Sequence, residues 1–128
     1  MPLPKRTMGK FRFEDLEICR VACLIGDELD DIANGLENQK RWRYAEQLRG
    51  AALSISNNIA EGSGSSSKKD FQNFLNFSRR SVFENANIVF FLNRRGVLDE
   101  ATKDRLVDEL RILAAKISAF SKTLGTGD

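Results

Sequence analysis

The segment NIAEGSGSSSKKDF, from Asn58 to Phe71, contains the end of one helix, a flexible link and the start of another. Gly62 follows apolar residues at helical spacing, which predicts that it ends the helix as a left-handed cap. The stretch GSGSSS has no large side chain and favours turns, so it predicts a link between helices. Ser67 and Asp70 then have the spacing of a capping box, which predicts that the next helix starts at Lys68.

Helical periodicity extends over the rest of the chain, and no alternating strand pattern interrupts it. The predicted helices run from about Glu14 to Leu36, from about Arg41 to Glu61, from Lys68 to Arg95, and from about Asp99 to Gly125. Because the links between them are short, neighbouring helices should be antiparallel. The sequence thus predicts an all-α protein whose residues 13–125 form an antiparallel up-down four-helix bundle. Residues 1–12 are expected to form a basic tail and residues 126–128 a short second tail.

Apolar side chains at three- and four-residue spacing mark the face of each helix that should be buried. The expected core residues are Cys19, Ala22, Cys23, Leu29, Ile32 and Ala33, then Ala45, Leu48, Ala52, Ile55 and Ile59, then Phe71, Phe74, Leu75, Val82, Ile88, Val89 and Leu92, and finally Leu106, Leu110, Leu113, Ile117, Phe120 and Leu124. The two cysteines lie four residues apart on one helical face, which does not suit a disulfide. Both are therefore expected to be free buried thiols.

Two polar residues, Ser78 and Asn85, interrupt the apolar stripe of the third helix. A buried amide needs hydrogen-bond partners, because leaving it unpaired costs about 1–3 kcal/mol. The second helix offers Asn58, Gln47 or Ser54 as partners for Asn85. The expected polar network comprises Gln47, Ser54, Asn58, Glu61, Ser78, Ser81, Glu84 and Asn85. Such a network either fixes the register of the helices or forms a ligand site between them.

The composition argues against catalysis. The chain has no histidine, which excludes Ser-His, Cys-His and His-metal chemistry, and its two cysteines cannot complete a tetrahedral zinc site. Asp27 and Asp31 in the stretch DELDD lack the Glu-x-x-His partners of di-metal bundles, so we expect a solvated acidic face. GSGSSS lacks the Gly-Lys-Ser/Thr ending of a phosphate loop. We expect no enzyme, no metal site and no cofactor.

The charges are distributed unevenly along the chain. Residues 14–37 carry eight acidic residues against one arginine, a net charge of −7, whereas residues 38–95 carry +6. This asymmetry indicates electrostatic matching within or between subunits, or an anion-binding face. No apolar run is long enough to span a membrane, and MPLPKRTMGKFRF lacks the apolar region of a secretory signal. A cytoplasmic protein is therefore expected.

The third helix carries large aromatic side chains opposite its core stripe, a face that is rarely left bare. A subunit interface is one explanation, and its expected residues are Leu53, Phe83, Phe90 and Phe91. A stacking platform for single-stranded nucleic acid is the other, because arginines alternate with these aromatics. The expected nucleic-acid contacts are Arg49, Lys68, Lys69, Arg79, Arg80, Arg94 and Arg95.

Three stretches, FEDLEICRVA, AEQLRGAALSISNNIAEGSGSSSKKDFQNFL and SRRSVFENA, carry a resemblance to a known family. From Phe13 to about Leu98 the chain resembles the four helix bundle protein family, which is encoded in intervening sequences of large-subunit ribosomal RNA genes. Relatives of that family include the accessory variability determinant of diversity-generating retroelements, a pentamer of basic bundles that partners a reverse transcriptase and nucleic acid. The resemblance implies a homopentamer here, with RNA, DNA and a reverse transcriptase as candidate partners.

Two hypotheses for the function stay open at this point. The first is a non-enzymatic homo-oligomeric bundle with a weak RNA- or DNA-associated accessory role and no sequence preference. The second is a structural scaffold or protein–protein adaptor that does not bind nucleic acid. They differ in whether the bases of the third helix stay on the outer surface or pair with the acidic first helix of a neighbouring subunit.

Overall fold

The computed structural model describes residues 9–126 of the 128-residue chain. These residues contain a short 3₁₀-helix followed by four α-helices, and no strand occurs among them. The elements are the 3₁₀-helix Arg12–Asp15, α1 Glu17–Asn38, α2 Trp42–Ser63, α3 Lys68–Arg94 and α4 Glu100–Thr123. The prediction of an all-α four-helix bundle is confirmed. Of the two predicted tails, residues 1–8 and 127–128 lie outside the described residues.

The start of α1 differs from the prediction. Residues 12–15 form a 3₁₀ turn and Leu16 adopts an extended conformation, so α1 begins at Glu17 rather than at Glu14. Arg12, which was assigned to the tail, packs on the bundle, with its guanidinium carbon 5.0 Å from the ring centroid of Phe71. The folded unit therefore includes part of the predicted basic tail.

The ends of α3 are set by the residues that the sequence indicated. The Ser67 side chain accepts a hydrogen bond from the backbone N–H of Asp70 at 3.0 Å, which caps the first turn. At the other end Gly96 has a φ of 73°, and the N–H of Val97 donates to the carbonyl of Leu92 at 2.9 Å. A left-handed glycine followed by this bond terminates the helix.

The prediction that Gly62 ends α2 as a left-handed cap is wrong. Gly62 lies inside α2 and is buried, and Gly64 is the C-cap residue, with a φ of −89°. A Cβ atom at position 62 would lie 2.6 Å from Cβ of Phe74 and 2.9 Å from Cδ1 of Phe71. Gly62 is therefore required because the first turns of α3 approach the backbone of α2 too closely for any side chain.

The buried face of α1 includes residues that the spacing did not select, namely Ile18, Ile25 and Leu36. The expectation that both cysteines are buried is wrong, because Cys19 is buried and Cys23 is exposed. Both thiols are free. Burial, with the neighbouring Cys23 thiol, raises the pKa of Cys19 to about 11, so this thiol stays protonated at neutral pH.

Several side chains that the sequence predicted to be buried lie at the margin of the core. The half-buried members of the predicted core are Ile32, Phe74, Ile88, Phe120 and Leu124. Leu106, Leu110, Leu113 and Ile117 of α4 are almost completely buried, as expected for the seam of a bundle. The core thus runs the length of the four helices and becomes more accessible at the C-terminal turns of α4.

The four helices pack in the order in which they follow one another in the chain. α2 contacts both α1 and α3, α3 also contacts α4, and a smaller contact between α1 and α4 closes the bundle. The links at residues 39–41, 64–67 and 95–99 are short, which makes successive helices antiparallel. None of the helices in residues 9–126 has the length and apolar character needed to cross a lipid bilayer.

Gly62→Ala should destabilise the protein, because the added Cβ overlaps two phenylalanine side chains of α3. We expect a loss of about 1–3 kcal/mol in the free energy of unfolding, typical of overpacking. Gly50→Ala is the matched control, since a Cβ at position 50 of the same helix meets no atom within 4 Å. That change should stabilise by up to about 1 kcal/mol through helix propensity alone. Urea unfolding of both variants tests the packing, and equal stabilisation by both would contradict it.

Candidate nucleic-acid and subunit interface

Side chains of α3 donate hydrogen bonds to backbone carbonyls of α2. The buried hydroxyl of Ser78 donates to the carbonyl of Ile55 at 2.7 Å. The side-chain amide of Asn85, also buried, donates to the carbonyl of Ala51 at 2.8 Å and to that of Ser81 at 2.7 Å. The two bonds to α2 fix the position of α3 along it.

The partners predicted for Asn85 on the second helix are therefore wrong, because a backbone carbonyl takes their place. A second polar cluster lies beside this contact: the hydroxyls of Ser54 and Ser81 are 2.8 Å apart, and Asn58 donates to the Ser54 carbonyl at 2.8 Å and to its hydroxyl at 3.1 Å. Among the described residues, the side chain of Asn58 is thus linked to α3 by hydrogen bonds only through Ser54. In the part of the chain that the structure describes, three other members of the expected network, Gln47, Glu61 and Glu84, are exposed and make no side-chain hydrogen bond.

The space above this network is an open surface groove between α2 and α3. It measures about 560 Å³ and is lined by Ser54, Asn58, Phe77, Arg80, Ser81 and Glu84. The Oδ1 atom of Asn85 is buried and has no hydrogen-bond donor among residues 9–126. Across those residues no group of three or more His, Cys, Asp or Glu side chains could hold a metal ion.

The acidic α1 is partly neutralised by bases of the same chain. Arg49 of α2 lies 3.5 Å from Asp30 and 2.6 Å from Glu37, and its hydrogen bond to Glu37 raises the pKa of Arg49. Arg105 of α4 donates to Glu28 at 2.9 Å, and this hydrogen bond lowers the pKa of Glu28. The predicted solvated acidic face is therefore solvated only in part. Arg49, expected to contact nucleic acid, faces α1 instead.

The other predicted nucleic-acid contacts belong to α3 and its ends, and they differ from Arg49 in one respect. Within the described residues, no carboxylate lies at ion-pair distance from Lys68, Lys69, Arg79, Arg80, Arg94 or Arg95. α3 has 27 residues, so the lysines of its first turn and the arginines at its last lie about 40 Å apart. The structure therefore places these bases along one helix, with a group at each end of the bundle.

Two of the predicted interface residues form an outward aromatic surface on α3. Phe83 is 57% exposed and Phe90 is 40% exposed. The guanidinium carbon of Arg79 lies 5.0 Å from the Phe83 ring centroid, and Lys103 Nζ lies 5.5 Å from that of Phe90. These cation–π contacts cover one side of each ring and leave large apolar areas in water.

The other two predicted interface residues lie elsewhere. Phe91 is half-buried and packs edge-on against Tyr44 of the same chain, with ring centroids 5.3 Å apart. Leu53 is exposed beside Cys23 and Gly26, in the groove between α1 and α2. The four residues therefore do not form one continuous surface, and Phe91 serves the packing of α2 on α3.

Several exposed apolar residues were not predicted from the sequence, among them Leu24, Trp42, Phe77 and Ile112. Each lies away from the buried stripe of its helix, so a search for large apolar residues outside the stripes would have found them. Trp42 is the most informative because basic residues flank it directly in the sequence KRWRY.

These features define the class of the protein: a small all-α up-down bundle whose third helix presents exposed aromatic rings together with basic side chains that have no acidic partner among residues 9–126. The model of the 23S rRNA-intervening sequence protein family matches residues 14–119. The chain belongs to this family, and the match extends through most of α4, beyond the region of resemblance found in the sequence. No curated protein matches the chain.

Asn85 offers a test of the contact between α2 and α3. Asn85→Asp should destabilise the bundle by about 3 kcal/mol or more, because a buried carboxylate would replace the donor that faces two carbonyl oxygens. Burial would raise the pKa of the new carboxyl group above its unfolded value of about 3.9, so the loss should grow as pH rises above that value.

Asn85→Leu is the matched control, because it removes the unpaired Oδ1 atom together with the amide. We expect its stability to stay within about 1 kcal/mol of the parent protein. Urea unfolding between pH 4 and pH 7 measures both effects, and equal stabilities for the two variants at pH 7 would contradict the assigned hydrogen bonds.

Proposed function

We propose that the chain is a non-enzymatic homo-oligomer, pentameric as its family resemblance implies, that associates weakly with RNA or DNA without sequence preference. The single observation that carries this proposal is the contrast between two helices. Acids of α1 are paired with Arg49 and Arg105 of the same chain, whereas the bases of α3 have no acidic partner among the described residues. Basic side chains that have no acidic partner within the fold are available to bind phosphate groups.

The aromatic rings of α3 support the oligomeric part of the proposal. Phe83 and Phe90 expose large apolar surfaces on one side of the bundle, and such surfaces on a small protein mark contact sites. In a homo-oligomer each copy would cover the rings of its neighbour. Repetition of weak phosphate contacts around the assembly would then raise the overall affinity for one strand without any new kind of contact.

A protein scaffold or adaptor is the second candidate, and the same rings favour it. If Phe83 and Phe90 bind another protein, the cations beside them would form the polar rim of that interface. A reverse transcriptase is the protein partner that the family resemblance suggests. This candidate requires no affinity for nucleic acid.

Light scattering at micromolar concentration tests the oligomer. We expect a mass several times that of one chain, retained at about 1 M salt, where the Debye length is about 3 Å and apolar contacts persist. Phe83→Ala should break the assembly, because this ring is expected at the interface. Phe77→Ala is the matched control, since Phe77 is similarly exposed but lies in the groove facing α2. A monomeric parent protein would refute the oligomer.

Fluorescence anisotropy with labelled oligonucleotides tests the association with nucleic acid. Lys68→Glu combined with Lys69→Glu should weaken binding about equally for all sequences, and should flatten the salt dependence by roughly 0.7–0.9 in log–log slope per lost phosphate contact. Arg111→Glu with Lys116→Glu makes the same change in net charge on α4, where both bases are already ion-paired, and should have a smaller effect. Absence of binding at about 50 mM salt would leave the scaffold.

A further inference from the structure

One end of the bundle combines an exposed tryptophan with a group of basic side chains. α1 ends there, the sequence KRWRY at residues 40–44 spans the link and the first residues of α2, and α3 ends there at Arg94, followed by Arg95. The edge-on contact between Tyr44 and Phe91, at 5.3 Å between ring centroids, holds the first turn of α2 beside the last turns of α3. The fold therefore brings two basic segments that are distant in sequence to the same end.

The tryptophan is open to solvent. Trp42 is 57% exposed, although an indole is among the side chains that gain most from burial. It lies in a shallow depression of about 340 Å³ formed by residues 40–44. Tyr44, two residues later, is half-buried against Phe91, so the indole is the one aromatic face that this segment presents to solvent.

The basic residues at this end of the bundle have no counter-ion in the chain as described. Lys40, Arg41, Arg43, Arg94 and Arg95 take part in no ion pair among residues 9–126.

The acidic side chains at this end are largely occupied. Glu37 is paired with Arg49, Asp99 caps α4 and Glu100 is paired with Lys103. Glu46 is the first acid of α2, one turn beyond Arg43, and it forms no ion pair within the described residues. The end thus has an excess of positive charge around one indole.

Fold stability accounts for Arg94 and Arg95, which lie at the C-terminus of α3, but not for the basic residues at the start of α2. Arg41 is the N-cap of α2, makes no capping hydrogen bond with its side chain, and is followed by Arg43, while the first turn contains no acid. Cations at a helix N-terminus are repelled by the helix dipole. Their presence reduces the stability of α2, so an interaction outside the fold is the better explanation.

We propose that residues 40–44 together with Arg94 and Arg95 form a binding site for single-stranded nucleic acid, in which a base stacks on Trp42 and the surrounding cations contact the phosphates. This proposal rests on the proposed function and adds the place of binding and the form of the strand. A base within a duplex has both π-faces covered, whereas an unpaired base can stack on an open indole at a gain that does not depend on its identity. Up to five phosphate contacts give an expected log–log salt slope of about −3.5 for a single strand.

The surface suits a nucleic acid better than a membrane. A helix that lies in a bilayer interface buries an extended apolar face in the lipid and carries its basic side chains on the opposite face. Here one indole is exposed beside cations, and the neighbouring rings of Tyr44 and Phe91 are half-buried and packed edge-on against each other. Cations interleaved with a single stacking ring are the arrangement found in single-strand grooves.

Trp42 is the only tryptophan in the chain, so intrinsic fluorescence reports on this end alone. Titration of the full-length protein with an oligothymidine of about 16 nucleotides should quench the fluorescence in parallel with binding followed by anisotropy. A duplex of the same length should bind without the same quenching. Quenching should diminish with salt along the slope given above.

Variants separate this site from the rest of α3. Trp42→Ala should weaken single-strand binding by about 5- to 150-fold, and Trp42→Phe should retain most of it. Arg41→Glu with Arg43→Glu should reduce affinity while raising the melting temperature by about 2–6 °C, because acids suit the start of α2. Lys68→Glu with Lys69→Glu, at the opposite end, should lower the affinity but leave the quenching at saturation unchanged. Arg111→Glu with Lys116→Glu on α4 is the matched control for the change in net charge and should leave the quenching as in the parent protein.

The other outcomes are distinct. Binding by anisotropy without quenching, and unchanged by Trp42→Ala, would overturn this site and leave the proposed function in place. No binding by either method would remove the proposed function and the site with it. A blue shift of the fluorescence with vesicles of anionic phospholipid, with no response to the oligonucleotide, would overturn the site in favour of a membrane surface.

Discussion

Ser78 and Asn85 of α3 donate hydrogen bonds into the backbone of α2, and the arrangement of the other helices follows from that contact. Each acceptor carbonyl has two lone pairs, so it can take the side-chain bond in addition to its bond within the helix. Apolar side chains alone would let two antiparallel helices slide by a turn at modest cost, whereas these bonds hold only in one register. That register, with the close approach at Gly62, fixes which face of α3 points outward.

The charged side chains of α1 and α3 have different surroundings. α1 is acidic, but several of its carboxylates form ion pairs with basic residues of α2 and α4. Its charge therefore mainly contributes to the contacts that close the bundle. α3 directs Ser78, Asn85 and one apolar stripe inward, whereas its basic side chains have no acidic partner among the described residues. The modest net charge of +2 for the whole chain therefore conceals a surface with a locally positive potential, and that local potential is what a polyanion would meet.

The sequence was sufficient for features that depend on local spacing and insufficient for those that depend on a neighbouring helix. The bundle and the buried positions of Ser78 and Asn85 follow from periodicity, and the Ser67 cap follows from the three-residue spacing of Ser67 and Asp70. Gly62 was misread because an apolar run followed by glycine also fits a close contact, which only the phenylalanines of α3 reveal. The acceptors of Asn85 could not be foreseen, since every residue of α2 carries a carbonyl. The pairing of Arg49 with α1 likewise depends on how two helices face each other.

The short links between helices have a consequence for how the chain acquires its structure. Because each helix packs mainly on the one before it, most contacts join segments that are close in sequence, and topologies of this kind fold rapidly. During synthesis the N-terminal hairpin can form before α4 has been made, and each later helix then meets a surface that is already assembled. Among the helices of residues 9–126, the contact between α1 and α4 is the one that joins the first helix to the last. We expect the closure of that seam, where Arg105 and Lys116 pair with Glu28 and Glu17 of α1, to be a late step of folding.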